Sequence, residues 1–477
     1  MNPRGVVVAG AGSGSGKTLT TLALLGGLAD REYAVHPFKC GPDFIDPRHH
    51  EWIARTPSGN LDLHFSEPGA LRERFDRQVA GSSGGVVEGV MGLFDGLARG
   101  TSTFDIARTL DLPVILVLSA QGMAETAAAL IRGLVTHREG VRFLGVIVTR
   151  TGSERHRTLI ADALKAEGLP PLLGALPREE SFSLPERHLG LSAPWEREEE
   201  PEKRLREALD RAALAMDWST ILKAFSPPSQ APSSFPSGPS EKEPRTLSES
   251  WRTSLTRHSP ATPARRVRPL RLGVALDEAF WFYYPENWTL FGELGIEILP
   301  FSPLRDRALP PDCDGLYLGG GYPERYSREL SGNRPMISEF RQFCDSGRPV
   351  YAECGGMLYL TEGPVREGGE AALDLSGIFP VRYALGDRLK RLGYAEVTAG
   401  EGFFSGTPGP VRGHLFHYSR LSGSGEGIPA AFLHTADGRP EGFARKGVVA
   451  SYLHLFFPSN PLWAEALARA LESGRGR

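Results

Sequence analysis

Apolar residues in the first 224 positions follow two alternating patterns. Short continuous runs of β-branched and aliphatic residues predict strands that are buried on both faces. These runs cover residues 5–10, 35–39, 85–88, 113–119, 143–149 and 172–177. Segments with helical spacing lie between or after them, at residues 17–31, 71–80, 123–137, 154–167 and 200–224. Strands and helices in this rhythm predict a doubly wound α/β domain with a parallel sheet.

A second α/β pattern covers residues 269–477. Strands are predicted at 270–277, 296–301, 315–319 and 349–353, with helices at 285–294, 328–346 and 461–472. Further strands at 393–399, 411–418 and 447–452 are predicted to be antiparallel in part. The sequence therefore predicts a second α/β domain that carries additional strands near its end.

The segment between these patterns, residues 225–268, differs in composition. It contains FSPPSQAPSSFPSGPSEKEP, which is rich in Pro and Ser and poor in core residues. Such a segment cannot bury enough apolar surface to offset the entropy lost on ordering. We therefore predict a domain at 1–224, a linker at 225–268 and a domain at 269–477.

Composition excludes several classes of protein. Hydrophobic residues make up 40% and charged residues 23%, as in ordinary soluble proteins, and the net charge of −3 favours neither nucleic acid nor an anionic membrane as partner. The N-terminus lacks the long apolar segment of a signal peptide, and no apolar stretch reaches membrane-spanning length. We expect a cytoplasmic protein. Four scattered cysteines without a CxxC pair indicate neither a disulfide framework nor a zinc site.

A phosphate-binding loop is predicted at residues 10–18, GAGSGSGKT, between a strand and a helix. Backbone N–H groups there would surround ATP phosphates, Lys17 would reach the β- and γ-phosphates, and the Thr18 hydroxyl would bind Mg²⁺. Ala11 stands where the strict pattern has Gly, so the loop is a variant, and a ligand-free Gly/Ser turn is the alternative. The predicted ATP-binding residues are Ser13, Gly14, Ser15, Gly16, Lys17 and Thr18.

Acidic residues follow two predicted strands of the same sheet. Asp43 and Asp46 come after the strand at 35–39, while Glu88 ends the strand at 85–88 and precedes Asp95. Ligands of open α/β sheets bind at the carboxyl ends of strands, where these side chains would lie. Thr18, Asp46 and Glu88 are therefore candidate partners of Mg²⁺. Solvated loop residues or helix caps are the alternative for each carboxylate.

The second candidate site is centred on Cys354. This residue ends the predicted strand PVYAE and precedes Gly355, so it occupies a sharp strand-to-helix turn typical of nucleophiles. The following helix N-terminus is expected to favour the thiolate. The alternative is a buried structural cysteine beside a tight turn.

A nucleophilic thiol needs oxyanion donors and a base. Gly319–Gly321 ends another strand and offers backbone N–H groups, of which those of Gly320 and Gly321 are the predicted oxyanion hole. His454, at the end of the strand predicted at 447–452, is preferred as base to His414 and His417. A core histidine is the alternative.

Nine sequence stretches together carry a resemblance to a known family. The chain resembles the cobyrinic acid a,c-diamide synthases, which are glutamine-dependent amidoligases of corrinoid biosynthesis. The stretches are SGSGKT (13–18), PFKCGPDFIDPRHH (37–50), VVEGVMGLFDG (86–96), GSERH (152–156), LPERHLGL (184–191), LGGGYPE (318–324), YAECGGMLYL (351–360), RGHLFHYS (412–419) and ASYLHLFFPSNP (450–461).

The resemblance implies an N-terminal domain similar to dethiobiotin synthetase and a C-terminal class I glutamine amidotransferase domain. It implies that Cys354 attacks glutamine with the help of His454. The synthetase domain would use ATP and Mg²⁺, with Asp43 and Asp95 near the corrinoid or the reaction centre. Three positions depart from the family pattern: Phe456 replaces the residue two places after the base, Leu415 stands where Glu is expected, and Thr149 stands where Asn is usual.

The implied reaction is amidation of the a- and c-side-chain carboxylates of cobyrinate through acyl phosphates, with ammonia taken from glutamine. A homodimer is one assembly compatible with the sequence. The alternatives are hydrogenobyrinic acid a,c-diamide synthase, cobyric acid synthase or another tetrapyrrole amidase of the family; RGHLFHYS and SYLH favour the diamide synthase over cobyric acid synthase. A P-loop ATPase switch with an inactive amidotransferase-like module is the alternative from another class.

Overall fold

Each half of the chain is built on its own central β-sheet. A computed structural model describes residues 4–96, 100–179, 186–187, 190–191, 194, 199–227, 268–365, 373–386, 388–423, 425 and 427–475. The chain separates into two units, Met1–Glu243 and Pro244–Arg477. Both are α/β, as predicted. All but the ends of the predicted linker lies outside the described residues, as does part of the LPERHLGL stretch.

The first unit contains a seven-stranded, fully parallel sheet with the order β3-β2-β4-β1-β5-β6-β7. Its central strand β1 alternates between two cores, with Val7 and Ala9 on one face and Val6 and Val8 on the other. This double burial explains why the strands read as continuous apolar runs. The strands are β1 Gly5–Gly10, β2 Val35–Cys40, β3 Gly59–Leu61, β4 Gly84–Glu88, β5 Val114–Ser119, β6 Phe143–Thr151 and β7 Leu172–Pro177, followed by a two-residue pair, β8 Glu186–Arg187 and β9 Gly190–Leu191.

Helices cover both faces of this sheet. They are α1 Lys17–Ala29, α2 Asp46–Ala54, α3 Pro68–Val79, α4 Thr103–Leu110, α5 Glu125–Thr136, α6 Glu154–Ala166, α7 Glu199–Leu214 and α8 Trp218–Ile221. The single helix predicted at 200–224 is wrong, because the chain leaves α7 at residue 215 and begins α8 with an Asp217 side-chain cap. Helices α2 and α4 were not predicted from the sequence.

The second unit has a six-stranded central sheet with the order β11-β10-β12-β13-β21-β20, parallel except for its β20–β21 edge. A five-stranded antiparallel sheet follows the order β19-β18-β15-β16-β22, and β14 pairs with β17. The strands are β10 Leu270–Ala275, β11 Ile296–Phe301, β12 Gly315–Leu318, β13 Val350–Glu353, β14 Arg382–Leu385, β15 Arg391–Ala399, β16 Val411–His417, β17 Ser419–Ser422, β18 Phe432–His434, β19 Pro440–Glu441, β20 Phe443–Arg445, β21 Val448–Ser451 and β22 His454–Phe456.

The helices of this unit are α9 Pro285–Glu293, α10 Ser327–Gly332, α11 Arg334–Asp345, α12 Gly355–Tyr359 and α13 Leu462–Gly474. The continuous helix predicted at 328–346 is interrupted at Asn333, and Pro335 lies in the first turn of the helix that follows, where proline is favoured. His454 begins β22 rather than ending the preceding strand, so its predicted position was wrong by one element. Within the described parts of both units, no helix is long and apolar enough to cross a bilayer.

Candidate active sites

The loop between β1 and α1 has the backbone shape that phosphate binding needs. Gly14 and Gly16 adopt φ values of 70° and 96°, which favour glycine. At Gly10, a Cβ would lie 2.3 Å from Ser15 Oγ, so the loop fold leaves no space for a side chain there. Ser13 and Gly14 are exposed at the tip, where a nucleotide could reach them.

Lys17 is held across the loop. Its ammonium donates to the Met91 carbonyl at 2.6 Å and to the Gly12 carbonyl at 3.1 Å. Burial and the nearby Lys39 ammonium lower the pKa of Lys17 to about 8. The side chain therefore lies beside the loop, at a position from which it can reach phosphate oxygens.

Thr149 supports the loop from β6. Its hydroxyl donates to the Ser15 carbonyl at 2.7 Å, and a Cβ at Gly16 would lie 2.7 Å from its methyl group. In place of the Asn usual in the family, Thr149 thus contacts the phosphate loop itself.

A buried cluster of charges lies next to Thr18. Glu88 Oε1 accepts from the Thr18 hydroxyl and from the Lys39 ammonium, both at 2.8 Å, and Lys39 also contacts Asp46 Oδ2 at 2.5 Å. The other oxygen of Glu88 lies 2.6 Å from His50 Nε2. Although burial disfavours its charge, Lys39 and His50 hold the pKa of Glu88 well below its usual range. The structure thus brings together three of the predicted residues, Thr18, Asp46 and Glu88.

The donor chemistry of this cluster suits magnesium. A hydroxyl and two carboxylates supply the hard oxygen ligands that Mg²⁺ prefers. Lys39 is the cation that joins Asp46 to Glu88 here, so a metal ion would share these carboxylates with its ammonium. Thr18, Asp46 and Glu88 therefore fit the ion.

The remaining two predicted acids shape loops beside this cluster. Asp43 Oδ1 accepts the N–H groups of Ile45 and Asp46 at the start of α2, at 2.7 and 3.2 Å. Asp95 is exposed, and its Oδ2 accepts the Gly92 N–H at 3.0 Å.

Lys39 and His50 belong to this cluster but were not among the predicted site residues. Lys39 sits in a buried strand, and a charged residue inside an apolar run is a signal that could have identified it. His50 lies on α2, whose start is marked by Pro47, but the helix lacks an apolar repeat.

In the second unit, Cys354 connects β13 to α12 with φ 46° and ψ −103°. This conformation is rare for a residue with a side chain and costs about 1–3 kcal/mol. The strained turn between a parallel strand and a helix is the expected geometry of a nucleophile. Cys354 Sγ lies 3.8 Å from the Phe416 carbonyl on β16.

The effect predicted for the helix N-terminus is outweighed at Cys354, because the Gly355 N–H lowers the pKa of the thiol but burial raises it more strongly. Burial, together with the carboxylates of Glu324 and Glu353, raises the pKa of Cys354 well above its ordinary value. Helix α12 has only five residues, too few for a strong dipole. The thiol is therefore protonated at rest, and its reaction requires a proton acceptor.

His454 is the predicted acceptor of that proton. It is buried, and burial together with the neighbouring His414 lowers its pKa well below the ordinary value, so its ring is neutral. Its ring stacks on His414 with centroids 4.9 Å apart. His414 is itself fixed by a 2.7 Å hydrogen bond to the Tyr284 hydroxyl, while His417 stacks on Tyr452.

The predicted oxyanion glycines lie beside this histidine. A Cβ at Gly320 would lie 2.3 Å from His454 Cε1, and a Cβ at Gly355 would lie 3.2 Å from the Gly321 nitrogen. Gly320 therefore lies close to the candidate base, His454, and Gly321 lies close to the turn that carries Cys354. The Gly319 N–H instead donates to the Tyr283 hydroxyl at 2.8 Å, so this N–H is used in a hydrogen bond within the protein.

Comparison with known proteins assigns each unit to a family. Residues 6–191 match the CobQ/CobB/MinD/ParA nucleotide binding domain, and residues 271–462 match the CobB/CobQ-like glutamine amidotransferase domain.

Full-length relatives share both domains. A Syntrophotalea carbinolica protein named cobyrinate a,c-diamide synthase is 38% identical over 97% of each chain. Proteins with the same name from Caldanaerobacter subterraneus and Dehalococcoides mccartyi are each 35% identical, over 94% and 98% of both chains respectively. The chain therefore belongs to the cobyrinate a,c-diamide synthase family of glutamine-dependent amidoligases.

Proposed function

We propose that this enzyme converts the a- and c-side-chain carboxylates of cobyrinate to amides, using ATP and ammonia released from glutamine. The observation that carries the proposal is the presence, in one chain, of a phosphate loop beside buried carboxylates and of a cysteine turn beside a neutral histidine. Relatives that span the whole chain bear the name cobyrinate a,c-diamide synthase.

In the glutamine site, His454 takes the Cys354 proton as sulfur attacks the amide carbon. The N–H groups of Gly320 and Gly321 face the developing oxyanion. The proton passes to the departing nitrogen, the carbon–nitrogen bond breaks and ammonia leaves. Water then hydrolyses the glutamyl thioester to glutamate and frees the thiol.

In the synthetase site, Lys17 and the loop N–H groups hold the ATP phosphates in line with a corrin carboxylate. That carboxylate attacks the γ-phosphorus, ADP leaves and an acyl phosphate forms. Ammonia then displaces phosphate to give the amide. Lys39 lies beside Glu88 and supplies a fixed positive charge next to the transferred phosphoryl group. Magnesium, held by Thr18, Asp46 and Glu88, would neutralise phosphate charge.

The corrin substrate is expected to contact the region of Asp43 and Asp95. The carboxylates of Asp43 and Asp95 accept backbone N–H groups of their own loops, beside the cluster of charges described above. We assign them to substrate positioning or to the reaction centre.

The test is amidation by the purified protein, supplied with ATP, Mg²⁺, either glutamine or an ammonium salt, and either cobyrinate or hydrogenobyrinate. Mass spectrometry counts the amides formed. Two amides on cobyrinate support the proposal, whereas amidation confined to hydrogenobyrinate favours the cobalt-free substrate. ATP hydrolysis without amidation of either compound would overturn the proposed reaction. Light scattering tests the expected homodimer against the 51.9 kDa chain mass.

Two variants assign the sites. Cys354→Ser should lose glutamine-driven amidation and keep ammonia-driven amidation, whereas Lys17→Ala should lose both. Cys344→Ser, which changes another buried cysteine of the same unit, is the matched control. Full glutamine-driven turnover by Cys354→Ser would show that Cys354 is not the nucleophile.

A further inference from the structure

Glu353, the residue before the nucleophile, is a buried carboxylate that the steps above do not use. It ends β13 and is 1% exposed. A carboxylate is rarely buried so completely without a role that compensates for its lost hydration.

Three donors from three strands fix this carboxylate. The Tyr317 hydroxyl on β12 donates to Oε2 at 2.8 Å, the Tyr351 hydroxyl on β13 donates to Oε1 at 2.8 Å, and the Leu455 N–H on β22 donates to Oε1 at 2.9 Å. Donors on both oxygens stabilise the anion and hold it in one orientation.

The same carboxylate faces the proposed base. Glu353 Oε2 lies 3.8 Å from His454 Nδ1, with both side chains buried. The opposite edge of the ring faces Gly320, since a Cβ there would lie 3.2 Å from Nε2 and 2.3 Å from Cε1. Nδ1 is therefore directed to Glu353, and Nε2 is directed to the oxyanion side of the site.

The residue two places after His454 has no carboxylate with which to orient the imidazole ring. It is Phe456, which is fully buried and packs edge-to-face on Tyr284 with centroids 5.3 Å apart. Glu353 is the carboxylate that the described structure brings to His454 Nδ1.

We propose that Glu353 is the positioning residue of the glutaminase site and takes the place of the acid missing at position 456. It keeps the proton of neutral His454 on Nδ1, leaving Nε2 free to accept the Cys354 proton, and its charge stabilises the resulting imidazolium. The distance of 3.8 Å exceeds a hydrogen bond, and such contacts commonly shorten when substrate binds. This inference rests on the proposed glutamine hydrolysis and adds a residue to it.

The charged and titratable groups around Glu353 agree with this role. Hydroxyls of Tyr317 and Tyr351 and the imidazole of His454 face it, while His414 lies behind His454. Burial raises the pKa of Glu353 to about 8, although the three donors oppose the shift. Formation of an imidazolium beside it would favour the ionised carboxylate.

The experiment compares Glu353→Gln with Tyr351→Phe in the full-length enzyme. Glu353→Gln keeps the side-chain size and removes the charge, so kcat for glutamine hydrolysis should fall by about 10²- to 10⁴-fold, as for amide substitutions of other triad acids. KM for glutamine should change by less than about threefold, and ammonia-driven amidation should persist because it bypasses this site. Glu353→Asp, which restores the charge, should recover about tenfold or more of the lost kcat.

Tyr351→Phe is the matched control. It removes one donor from Oε1, where Leu455 still donates, and leaves Oε2 facing His454. Its kcat should fall by about threefold at most, as expected for one neutral hydrogen bond.

Several results would overturn the inference. Wild-type glutaminase kcat in Glu353→Gln would do so, as would equal losses in Glu353→Gln, Glu353→Asp and Tyr351→Phe, which would indicate a packing role. Loss of ammonia-driven amidation in Glu353→Gln would likewise indicate a role in the fold. These results leave the proposed function standing, which fails only if the wild-type enzyme releases no glutamate from glutamine or amidates no corrinoid.

Discussion

Gly320→Ala tests whether the oxyanion glycine and the base share one tightly packed site. An added Cβ would lie 2.3 Å from His454 Cε1, 3.2 Å from His454 Nε2 and 3.2 Å from Phe282 Cβ. Carbon atoms in good contact are separated by about 3.5–4.0 Å. The ring edge would therefore have to move by about 1.2 Å or more to relieve the contact.

The surrounding rings restrict where His454 can move. One face stacks on His414, with an interplanar angle of 20°, and Phe282 lies 6.2 Å away between centroids. Because a 1 Å misplacement in an active site can cost about 100-fold, kcat for glutamine hydrolysis should fall by about that factor. This corresponds to about 2.7 kcal/mol of transition-state stabilisation.

Glutamate release measures this loss, and ammonia-driven amidation should stay near the wild-type rate because it does not use His454. Gly332→Ala is the matched control, since a Cβ there meets nothing within 4 Å. If Gly320→Ala kept more than about a third of the wild-type glutaminase kcat, the ring would not be held against this glycine, and the proposed packing of the base against the oxyanion glycine would be refuted.

Three further predictions follow from the two sites. Thr149→Val removes the buried hydrogen bond to the Ser15 carbonyl, so KM for ATP in steady-state kinetics should rise by up to about tenfold, with glutamine hydrolysis unaffected. Lys39→Met leaves Glu88 buried without its cation, which should destabilise the first unit by about 3–5 kcal/mol in urea unfolding and abolish amidation with either nitrogen source. Because the pKa of Glu353 is raised to about 8 and its ionised form assists the base, kcat/KM for glutamine should increase as pH rises from about 7 to 9. A flat pH profile would contradict that assignment.

Local sequence patterns predicted the elements that present the functional residues. Strand β1, the Gly-rich loop and α1 follow one another with clear apolar and glycine signals, and so do β13, Cys354 and Gly355. Each of these signals is local in sequence, and a short-range pattern is therefore sufficient to reveal it.

The elements that were missed lack such a pattern. Helix α2 buries Arg48, His49 and His50 in place of a continuous apolar stripe, and His50 contacts Glu88 of the charged cluster. Strands β18 to β20 and β22 have only two or three residues, too few for an alternating pattern to be recognised. Their positions depend on pairing with distant partners, as β22 pairs with β16.

The contacts inside the sites were also beyond sequence reasoning. The Lys39–Glu88 pair joins residues 49 positions apart, and the Leu455 N–H reaches Glu353 over 102 positions. No spacing rule within one segment predicts such contacts. A charged residue within a buried strand was nevertheless a usable signal for both Lys39 and Glu353.

The resting state of the glutamine site explains how a reactive cysteine can be kept from side reactions. Burial keeps Cys354 as a thiol, and burial with nearby His414 keeps His454 neutral, so neither partner carries charge before substrate binds. A thiol is far less nucleophilic and less easily oxidised than a thiolate. Proton transfer creates an ion pair in a buried site, which is costly unless other groups stabilise the new charges. In the proposed mechanism, the imidazolium would favour the ionised form of Glu353, and that carboxylate and the oxyanion N–H groups would stabilise the new charges as the glutamine amide reacts, so the arrangement would favour the transition state over the resting enzyme.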